Sequence, residues 1–269
     1  MFLKEILQRA GWYNYIRYSW IFSGYQQLFK PRARKRARAA HQKEVRLYRE
    51  IVGHAGLIFD IGAYNGHKTA AFLEICDKVV ACEPDPDNFR LLEIRFRRLR
   101  NRVILEEAAV SDRVGAARML VHHPGSAFNT LNKRWAELLE RDGGQRWKED
   151  IRFAEGGGLE VRTTTLDELI IRHGVPEFIK VDVEGFERKV FDGLSRAVAC
   201  VSFECLLPEF RDDLFYILRR LTGLCEGTVF NVVADEVLLL PEFVGYDRIV
   251  EWVGTTPLFT FDMVARAGL

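Results

Sequence analysis

The first residues that could do chemistry form a glycine turn preceded by an acid, Asp60-Ile-Gly-Ala-Tyr-Asn-Gly66. Gly62 and Gly66 let the backbone turn tightly and come close to a ligand. A carboxylate at Asp60 would repel a pyrophosphate and attract an ammonium or sulfonium group. The spacing also departs from the G-x-G-x-x-G of dinucleotide-binding folds. The turn therefore favours S-adenosylmethionine over a nicotinamide dinucleotide. Contacts to it are predicted from Asp60, Gly62, Ala63, Asn65 and Gly66.

Two further groups follow predicted strands. Glu83-Pro-Asp-Pro-Asp87 begins 21 residues after Gly62, where an acid accepts the ribose hydroxyl hydrogens in dinucleotide folds. The small side chains of residues 108–110 could lie against an adenine, with Asp112 beside them. Further cofactor contacts are therefore predicted from Glu83, Pro84, Asp85, Ala109, Asp112 and Asp182.

Each group also has a structural interpretation. Asp60 could be an N-cap, Glu83 and Asp85 could form a solvated turn, and residues 108–110 could be plain core. A fourth group, described next, also follows a predicted strand. Four such groups at one edge of a sheet are less likely to arise by chance than any single one. Together they predict a cofactor site.

A fourth group of acids lies in Ile179-Lys-Val-Asp-Val-Glu-Gly185. Methyl transfer requires the acceptor oxygen to be held behind the methyl group, and a general base adds about 10² to 10⁴ in rate. We predict Asp182 as the central carboxylate of the site and Glu184 as the residue that orients the acceptor. The proton acceptor is predicted to be Glu204 or His123.

These acids have alternatives too. Clustered carboxylates could hold Mg²⁺, which prefers oxygen ligands, and Lys180 could neutralise one of them. Glu184 and Glu187 could instead be first-turn acids that favour the helix dipole, and His123 could be a solvated loop residue.

The elements that must position these residues alternate between strand and helix beyond about residue 50. This alternation predicts an α/β fold over residues 51–269, with a mostly parallel sheet and helices on both faces. The predicted strands are 57–60, 78–83, 103–110, 117–122, 160–164, 178–183, 199–204, 228–233 and 258–266. The predicted helices are 67–76, 88–100, 133–141, 166–173, 187–196 and 211–221.

A polar excursion over residues 124–158 interrupts this pattern. Because loops of such length in a compact domain are usually functional or disordered, we expect it to form the acceptor pocket or a lid. Residues 156–158 would serve as a hinge. Contacts with a sugar are predicted from Ser126, Phe128, Asn129, Trp135 and Trp147.

Between about residues 50 and 210 the chain resembles the FkbM-type methyltransferases, a branch of the class I enzymes that use S-adenosylmethionine. The resemblance implies a Rossmann-like, seven-stranded sheet with a reversed final strand. It also implies O-methylation of hydroxyls on sugars, glycolipids or natural products. Asp60, Gly62 and Gly66 would hold the methionine moiety, Glu83 the ribose, and the neighbourhood of Asp112 the adenine. The motifs that carry it are residues 60–66, 83–89, 108–111, 165–167, 179–187 and 202–204.

Other functions fit less well. A methyltransferase acting on the amines of nucleic acids would be expected to carry Asn/Asp-Pro-Pro-aromatic where this chain has Asp182-Val-Glu-Gly185. A module that binds adenosine without turnover is the remaining alternative. A nicotinamide oxidoreductase is disfavoured by the charge of Asp60.

The front end, residues 1–50, is predicted to be a helical extension. It holds 12 Lys or Arg against 3 Glu, whereas the remaining 219 residues hold 27 basic against 35 acidic side chains. Residues 1–29 are rich in aromatic rings, and residues 30–38 in arginine. This composition fits contact with a membrane surface or a lipid-linked substrate, or with nucleic acid. It equally fits a pair of helices that cap the domain or bury their rings in a homo-oligomer, with the arginines on a solvated face.

Charges interrupt the apolar N-terminal stretch, so neither a membrane span nor a signal peptide is predicted. The five cysteines contain no C-x-x-C pair, which disfavours a zinc finger or a disulfide framework. We expect buried thiols in a reducing cytoplasm, with peripheral contact at the inner membrane surface.

Overall fold

The computed structural model describes residues 31–147, 150–153 and 158–268. The aromatic part of the predicted front end and residues 156 and 157 of the predicted hinge lie outside this description. The strands are β1 (Ala55–Ile61), β2 (Cys76–Cys82), β3 (Val103–Glu106), β4 (Ala109–Val110), β5 (Gly115–Met119), β6 (Leu159–Thr164), β7 (Phe178–Val181), β8 (Cys200–Leu206), β9 (Val229–Ala234), β10 (Val237–Leu238) and β11 (Thr260–Arg266).

The helices alternate with these strands. They are α1 (Pro31–Val52), α2 (His67–Phe72), α3 (Pro86–Phe96), α4 (Lys133–Asp142), α5 (Leu166–His173), α6 (Glu187–Asp192), α7 (Arg211–Leu224) and α8 (Tyr246–Thr255). Within the described ranges, none of them is long and apolar enough to cross a bilayer.

The main sheet has the strand order β10-β9-β11-β8-β7-β1-β2-β3. The strands from β8 to β3 in this order are parallel, and β11 runs antiparallel between β8 and β9. The mostly parallel sheet and its reversed final strand are as predicted. Within the described residues the main sheet nevertheless has eight strands, so the seven-stranded prediction is wrong. The additional strand is β10, which pairs with β9 through a tight turn at Asp235 and Glu236, both with positive φ.

Helices cover both faces of the sheet, because successive strand residues point to opposite sides. Phe59 belongs to the apolar cluster beneath α5, α6, α7 and α8, and its neighbour Ile58 belongs to the cluster beneath α1, α2 and α3. On β7, Ile179 likewise belongs to the first of these clusters and Phe178 to the second. The three-layer α/β arrangement is confirmed, and it buries the central strands on both sides.

The region after β3 differs from the predicted single strand over 103–110. The chain leaves the main sheet at Glu106, whose carboxylate is bound by Arg172 and His173. Strand β4 then pairs with β6 in a small second sheet of order β4-β6-β5. The strand expected over 117–122 is β5, two residues earlier. Helix α8 was not predicted, whereas α4 lies where the excursion was expected to be helical.

Helix α1 runs across residue 50, where the sequence suggests a division of the chain. Val45, Tyr48 and Ile51 are each at most 4% exposed and belong to the core cluster shared with α2 and α3. The Tyr48 ring packs edge-on against Phe72, with 4.7 Å between ring centroids. The second half of this helix is therefore part of the domain's core.

Candidate active site

The glycine turn joins β1 to α2 at the carboxyl edge of the sheet. Gly62 has φ +83°, and a Cβ there would lie 1.8 Å from the backbone oxygen of Asp182. Gly66 has φ +73°, and a Cβ there would meet the Phe96 ring at 2.6 Å. Both positions therefore require glycine, and the reason lies in the protein's own packing. The turn can approach β7 this closely only because no side chain intervenes.

Asp60 lies at the base of the turn and is 1% exposed. Its Oδ2 accepts a hydrogen bond of 2.5 Å from the Thr69 hydroxyl. Its Oδ1 is buried and has no hydrogen-bond partner among the described residues. Burial raises the pKa of Asp60 to about 6, although the Thr69 hydrogen bond and the charge of Lys68 act in the opposite direction. Helix α2 has Gly66 as its N-cap, so Asp60 does not cap it.

Glu83 follows β2 and is 5% exposed. Its two carboxylate oxygens accept backbone hydrogen bonds from Tyr64 at 2.7 Å and from Asp85 at 2.9 Å. Burial raises the pKa of Glu83 to about 7. The backbone donors thus hold both oxygens in place beside the glycine turn.

Asp85 has a structural role. Its Oδ1 caps α3 by accepting from the backbone of Asp87 and Asn88. Its Oδ2 accepts from the Asn129 side chain at 2.7 Å and from the Gly125 backbone at 3.2 Å. This one carboxylate therefore starts a helix and anchors the excursion over residues 124–158.

The carboxylate cluster, defined as Asp182, Glu184 and Glu204, lies where β7 and β8 end. One oxygen of each side chain lies within 4.8 Å of the others. Lys180 is 0% exposed, and its Nζ lies 3.6 Å from Asp182 Oδ2; Lys68 Nζ lies 3.9 Å from the same oxygen. Burial opposes ionisation of Asp182, but the two ammonium groups outweigh it and hold its pKa below the usual range.

The pKa values of the other two members of the cluster are shifted in the opposite direction. Burial and the negative charge of Asp182 raise the pKa of Glu184 to about 8. Burial and the same charge raise the pKa of Glu204 well above its usual value. Near neutral pH the cluster therefore combines one ionised carboxylate with carboxyl groups that hold protons. Such a set can take up and release a proton.

The excursion reaches this cluster through Trp135, which is 1% exposed. Its indole Nε1 donates to Glu184 Oε2 at 3.0 Å. The ring packs edge-on against Trp147, with centroids 5.1 Å apart. The prediction that Trp135 stacks on a sugar is wrong, because the apolar cluster around it covers the ring.

A cavity of about 290 Å³ opens between the glycine turn and the carboxylate cluster. Small-molecule sites are commonly of about this size or larger. Among the predicted site residues, those that line it are Gly62, Ala63, Asn65, Glu83, Pro84, Ala109, Asp182 and Glu184, and the excursion adds Ser126 and Asn129.

The remaining predicted residues lie outside that lining, as far as the chain is described. Asp60 begins the turn, Gly66 ends it as the N-cap of α2, and Asp85 is the N-cap of α3. Asp112 is paired with Lys189 Nζ at 2.9 Å. Glu204 belongs to the carboxylate cluster but lines a separate, smaller pocket. His123 is directed elsewhere, since its Nδ1 lies 3.0 Å from the Pro124 oxygen.

Some lining residues were not predicted, among them Lys68, Asn88 and Phe186. Lys68 is the most consequential, because its ammonium group stands between the turn and Asp182. The sequence could have indicated Lys68 as a site residue, because it lies next to the start of α2, where a side chain faces the same sheet edge as the turn.

The family model of the methyltransferase FkbM domain matches residues 60–221. The chain belongs to the FkbM methyltransferase family. The match begins at Asp60 and ends in α7, so it contains the turn, the carboxylate cluster and the excursion. No curated protein matches the chain by sequence.

Solved structures show likenesses to this FkbM chain at low sequence identity. A methyltransferase FkbM from Methylobacillus flagellatus KT is 14% identical, with a TM-score of 0.48; the match covers 79% of this chain and 43% of that one. The chain thus spans less than half the length of that protein. A precorrin-6y C5,15-methyltransferase from Geobacter metallireducens GS-15 is 10% identical over 84% and 87% of the two chains, with a TM-score of 0.42. An rRNA methylase from Streptococcus thermophilus is 13% identical over 85% and 94%, with a TM-score of 0.36.

Membership of the FkbM family implies S-adenosylmethionine as the methyl donor. The residues present fit this group. The buried, unpartnered Oδ1 of Asp60 requires a donor such as an ammonium group, because a polar atom left without one is costly in the interior. Glu83 lies beside the same turn and lines the cavity, where its carboxylate oxygens would accept from the ribose hydroxyls.

Proposed function

We propose that this FkbM domain transfers a methyl group from S-adenosylmethionine to a hydroxyl oxygen of a sugar, a glycolipid or a related natural product. The observation that carries the proposal is the carboxylate cluster at one end of the cavity, opposite the glycine turn. A hydroxyl acceptor must lose a proton as it attacks, and the cluster offers a group whose pKa is about 8 for that purpose.

The turn side of the cavity, defined by Asp60, Glu83 and residues 62–66, would hold the donor. In this proposal Asp60 Oδ1 accepts from the ammonium group of the methionine moiety, and Glu83 accepts from the ribose hydroxyls. Ala109 is 5% exposed and lines the cavity where the adenine would lie. When bound there, S-adenosylmethionine supplies an electrophilic methyl group on a sulfonium.

The cluster side, defined by Asp182, Glu184 and Glu204, would act on the acceptor. Glu184 lines the cavity, whereas Glu204 lines a separate, smaller pocket. We therefore assign Glu184 as the proton acceptor. Glu184 would take the hydroxyl proton as the acceptor oxygen bonds to the methyl carbon, while the bond from that carbon to the donor's sulfur breaks and the neutral thioether is the leaving group. Asp182, which keeps its charge through Lys180 and Lys68, orients the acceptor.

The excursion would supply the acceptor pocket. Ser126 and Asn129 line the cavity with polar side chains, and Asn129 is held in place by its hydrogen bond to Asp85. The Ser126 hydroxyl suits a polyhydroxylated acceptor because a hydroxyl can both donate and accept, and the Asn129 amide oxygen can accept. Magnesium held by the carboxylate cluster would be an alternative way to orient such an acceptor.

A separate proposal concerns the front end and its contact with a membrane. The described part of α1 exposes Lys35, Arg36 and Arg38 to solvent. Basic side chains near an anionic membrane contribute about 1 kcal/mol each. We propose contact of residues 1–40 with a membrane surface that presents the acceptor. Cosedimentation with anionic vesicles tests it: deletion of residues 1–40 should abolish binding, and unchanged binding would contradict it.

Methyl transfer itself is tested with radiolabelled S-adenosylmethionine and a panel of hydroxylated glycans, glycolipids, RNA and DNA, each with and without Mg²⁺. Label in a hydroxylated acceptor is expected. Label in RNA or DNA alone would overturn the acceptor class in favour of a nucleic-acid methyltransferase. Calorimetric binding of the donor without label in any acceptor would favour a module that binds adenosine without turnover.

A further inference from the structure

A second group of titratable side chains lies between α1 and α2 and adjoins the cavity through His67. A ring nitrogen of His41, a carboxylate oxygen of Glu44 and a ring nitrogen of His67 all lie within 4.8 Å of one another. The two imidazole rings are perpendicular, with centroids 6.0 Å apart. His41 and Glu44 are three residues apart on α1, so both project from one face of that helix. His67 is the first residue of α2, which packs against α1.

Glu44 is the unusual member of this group. It is 8% exposed, and its Oε2 has no hydrogen-bond partner within the described part of the chain. His67 Nδ1 nevertheless lies 3.0 Å from that oxygen. Glu44 Oε2 and His67 Nδ1 thus lie close enough together for one cation to bind both.

We propose that His41, Glu44 and His67 form a binding site for a divalent transition metal, with Zn²⁺ as the fitting ion. Two imidazoles and one carboxylate are an established zinc ligand set, and a fourth position remains for water. Ligand atoms around tetrahedral zinc lie roughly 3.3 Å apart. Modest side-chain rotations bring the three atoms to that spacing.

The surroundings support the site. Glu74 Oε1 lies 2.6 Å from His41 Nε2, and a carboxylate on a metal-ligating histidine orients its ring. The nearest competing cation is Lys68, whose Nζ lies 3.8 Å from the other Glu44 oxygen and is shared with Asp182. His41 and His67 are partly exposed, with 24% and 51% of their side chains accessible, so an ion can enter.

The consequence would be a metal link between α1 and the start of α2. His67 and Lys68 also line the cavity. Metal binding would therefore hold the front-end helix against the element that follows the glycine turn. The proposal stands on the geometry of this group and does not depend on methyl transfer.

The test uses the full chain, freed of metal with a chelator and then dialysed. Titration with ZnCl₂, followed by calorimetry, should show one site per chain, and one equivalent of Zn²⁺ should raise the Tm. Co²⁺ in its place should give visible absorption bands of a low-coordinate site. His41→Gln should weaken Zn²⁺ binding by more than about 100-fold, because removal of an outer-shell partner alone costs about 10- to 100-fold.

Controls separate this site from adventitious binding. His54→Gln removes an exposed histidine that lies 3.6 Å from Asp77 and outside the group, so it should bind Zn²⁺ as the native chain does. Glu44→Gln keeps the side-chain shape and should also lose binding, which guards against a variant that misfolds. Absence of stoichiometric binding, or equal binding by His41→Gln, would overturn the proposal. Loss confined to His123→Gln would assign the metal to the His122–His123 pair and would also overturn it.

Discussion

The two sides of the cavity hold their carboxylates in different ways. On the turn side, Asp60 and Glu83 are held by a threonine hydroxyl and by backbone N–H groups. On the cluster side, Asp182 faces two lysine ammonium groups and Glu184 faces an indole N–H. Neutral donors fix a carboxylate in position, whereas neighbouring charges decide which carboxyl group is ionised. The first arrangement suits binding, and the second suits proton transfer.

The two sides meet where β1 and β7 pair in parallel. Asp60 is the register partner of Lys180, and the Gly62 that follows touches the Asp182 backbone. A change at this junction should disturb both sides, whereas changes further away should disturb one side only.

The largest effect is expected from Gly62→Ala. The added Cβ would lie 1.8 Å from the Asp182 oxygen, on a backbone with φ +83°. We expect destabilisation of about 3 kcal/mol or more in urea unfolding, together with loss of donor binding. Gly223→Ala is the control, since Gly223 lies in α7 with open space around it. It should be neutral or stabilising by up to about 1 kcal/mol. Equal urea midpoints for the two variants would refute the close junction.

Glu184→Gln should lower kcat by about 10² to 10⁴ without weakening donor binding, because it removes the proton acceptor. The pKa of about 8 gives a further signature. Below pH 8 the native enzyme should gain rate with rising pH as Glu184 loses its proton, and the variant should not show this gain. A pH profile under saturating conditions measures both effects.

His123→Gln is the matched control for that variant. His123 lies outside the cavity lining of the described chain, so its substitution should leave kcat nearly unchanged. A loss in His123→Gln that matched the loss in Glu184→Gln would reassign the base to the excursion.

Glu83→Ala should weaken binding of S-adenosylmethionine by about 10- to 100-fold, as expected for loss of hydrogen bonds to a charged group. Binding to the native protein should strengthen as the pH rises through about 7, where Glu83 loses its proton and becomes a full acceptor. Calorimetry at several pH values measures both. Glu107→Ala, at an exposed position, should bind as the native protein does; a matching loss there would remove the specific role of Glu83.

The smallest effect is expected from Asn129→Ala. This change removes the hydrogen bond between the excursion and Asp85, worth about 1 kcal/mol. The acceptor KM should rise a few-fold, with donor affinity and kcat nearly unchanged. Initial-rate kinetics measure this, with Asn101→Ala at an exposed turn as the control. A large loss of donor affinity would instead connect the excursion to the turn side.

The sheet and the position of the site could be predicted from the sequence because both follow from local patterns. Alternating strands and helices imply a parallel sheet, and acids that follow strands then meet at one edge. Asp182, Glu184 and Glu204 meet for this reason, although they belong to two strands.

Other features depend on contacts between distant segments and have no local signal. Trp135 reaches Glu184 across 49 positions of the chain, and Asn129 reaches Asp85 across 44. The chain leaves the main sheet at Glu106, whose carboxylate is bound by Arg172 and His173 of α5, more than 60 positions away. Strand β10 has two residues, too few for any periodicity to be visible.

The division between binding and proton transfer is tested most directly by measuring donor affinity and single-turnover rate side by side for Glu83→Ala and Glu184→Gln. We predict that Glu83→Ala binds the donor weakly but transfers methyl at nearly the native rate once saturated. We predict that Glu184→Gln binds as the native protein does and transfers slowly. If both quantities fell together in both variants, the two sides of the cavity would not differ in function and the account would be wrong.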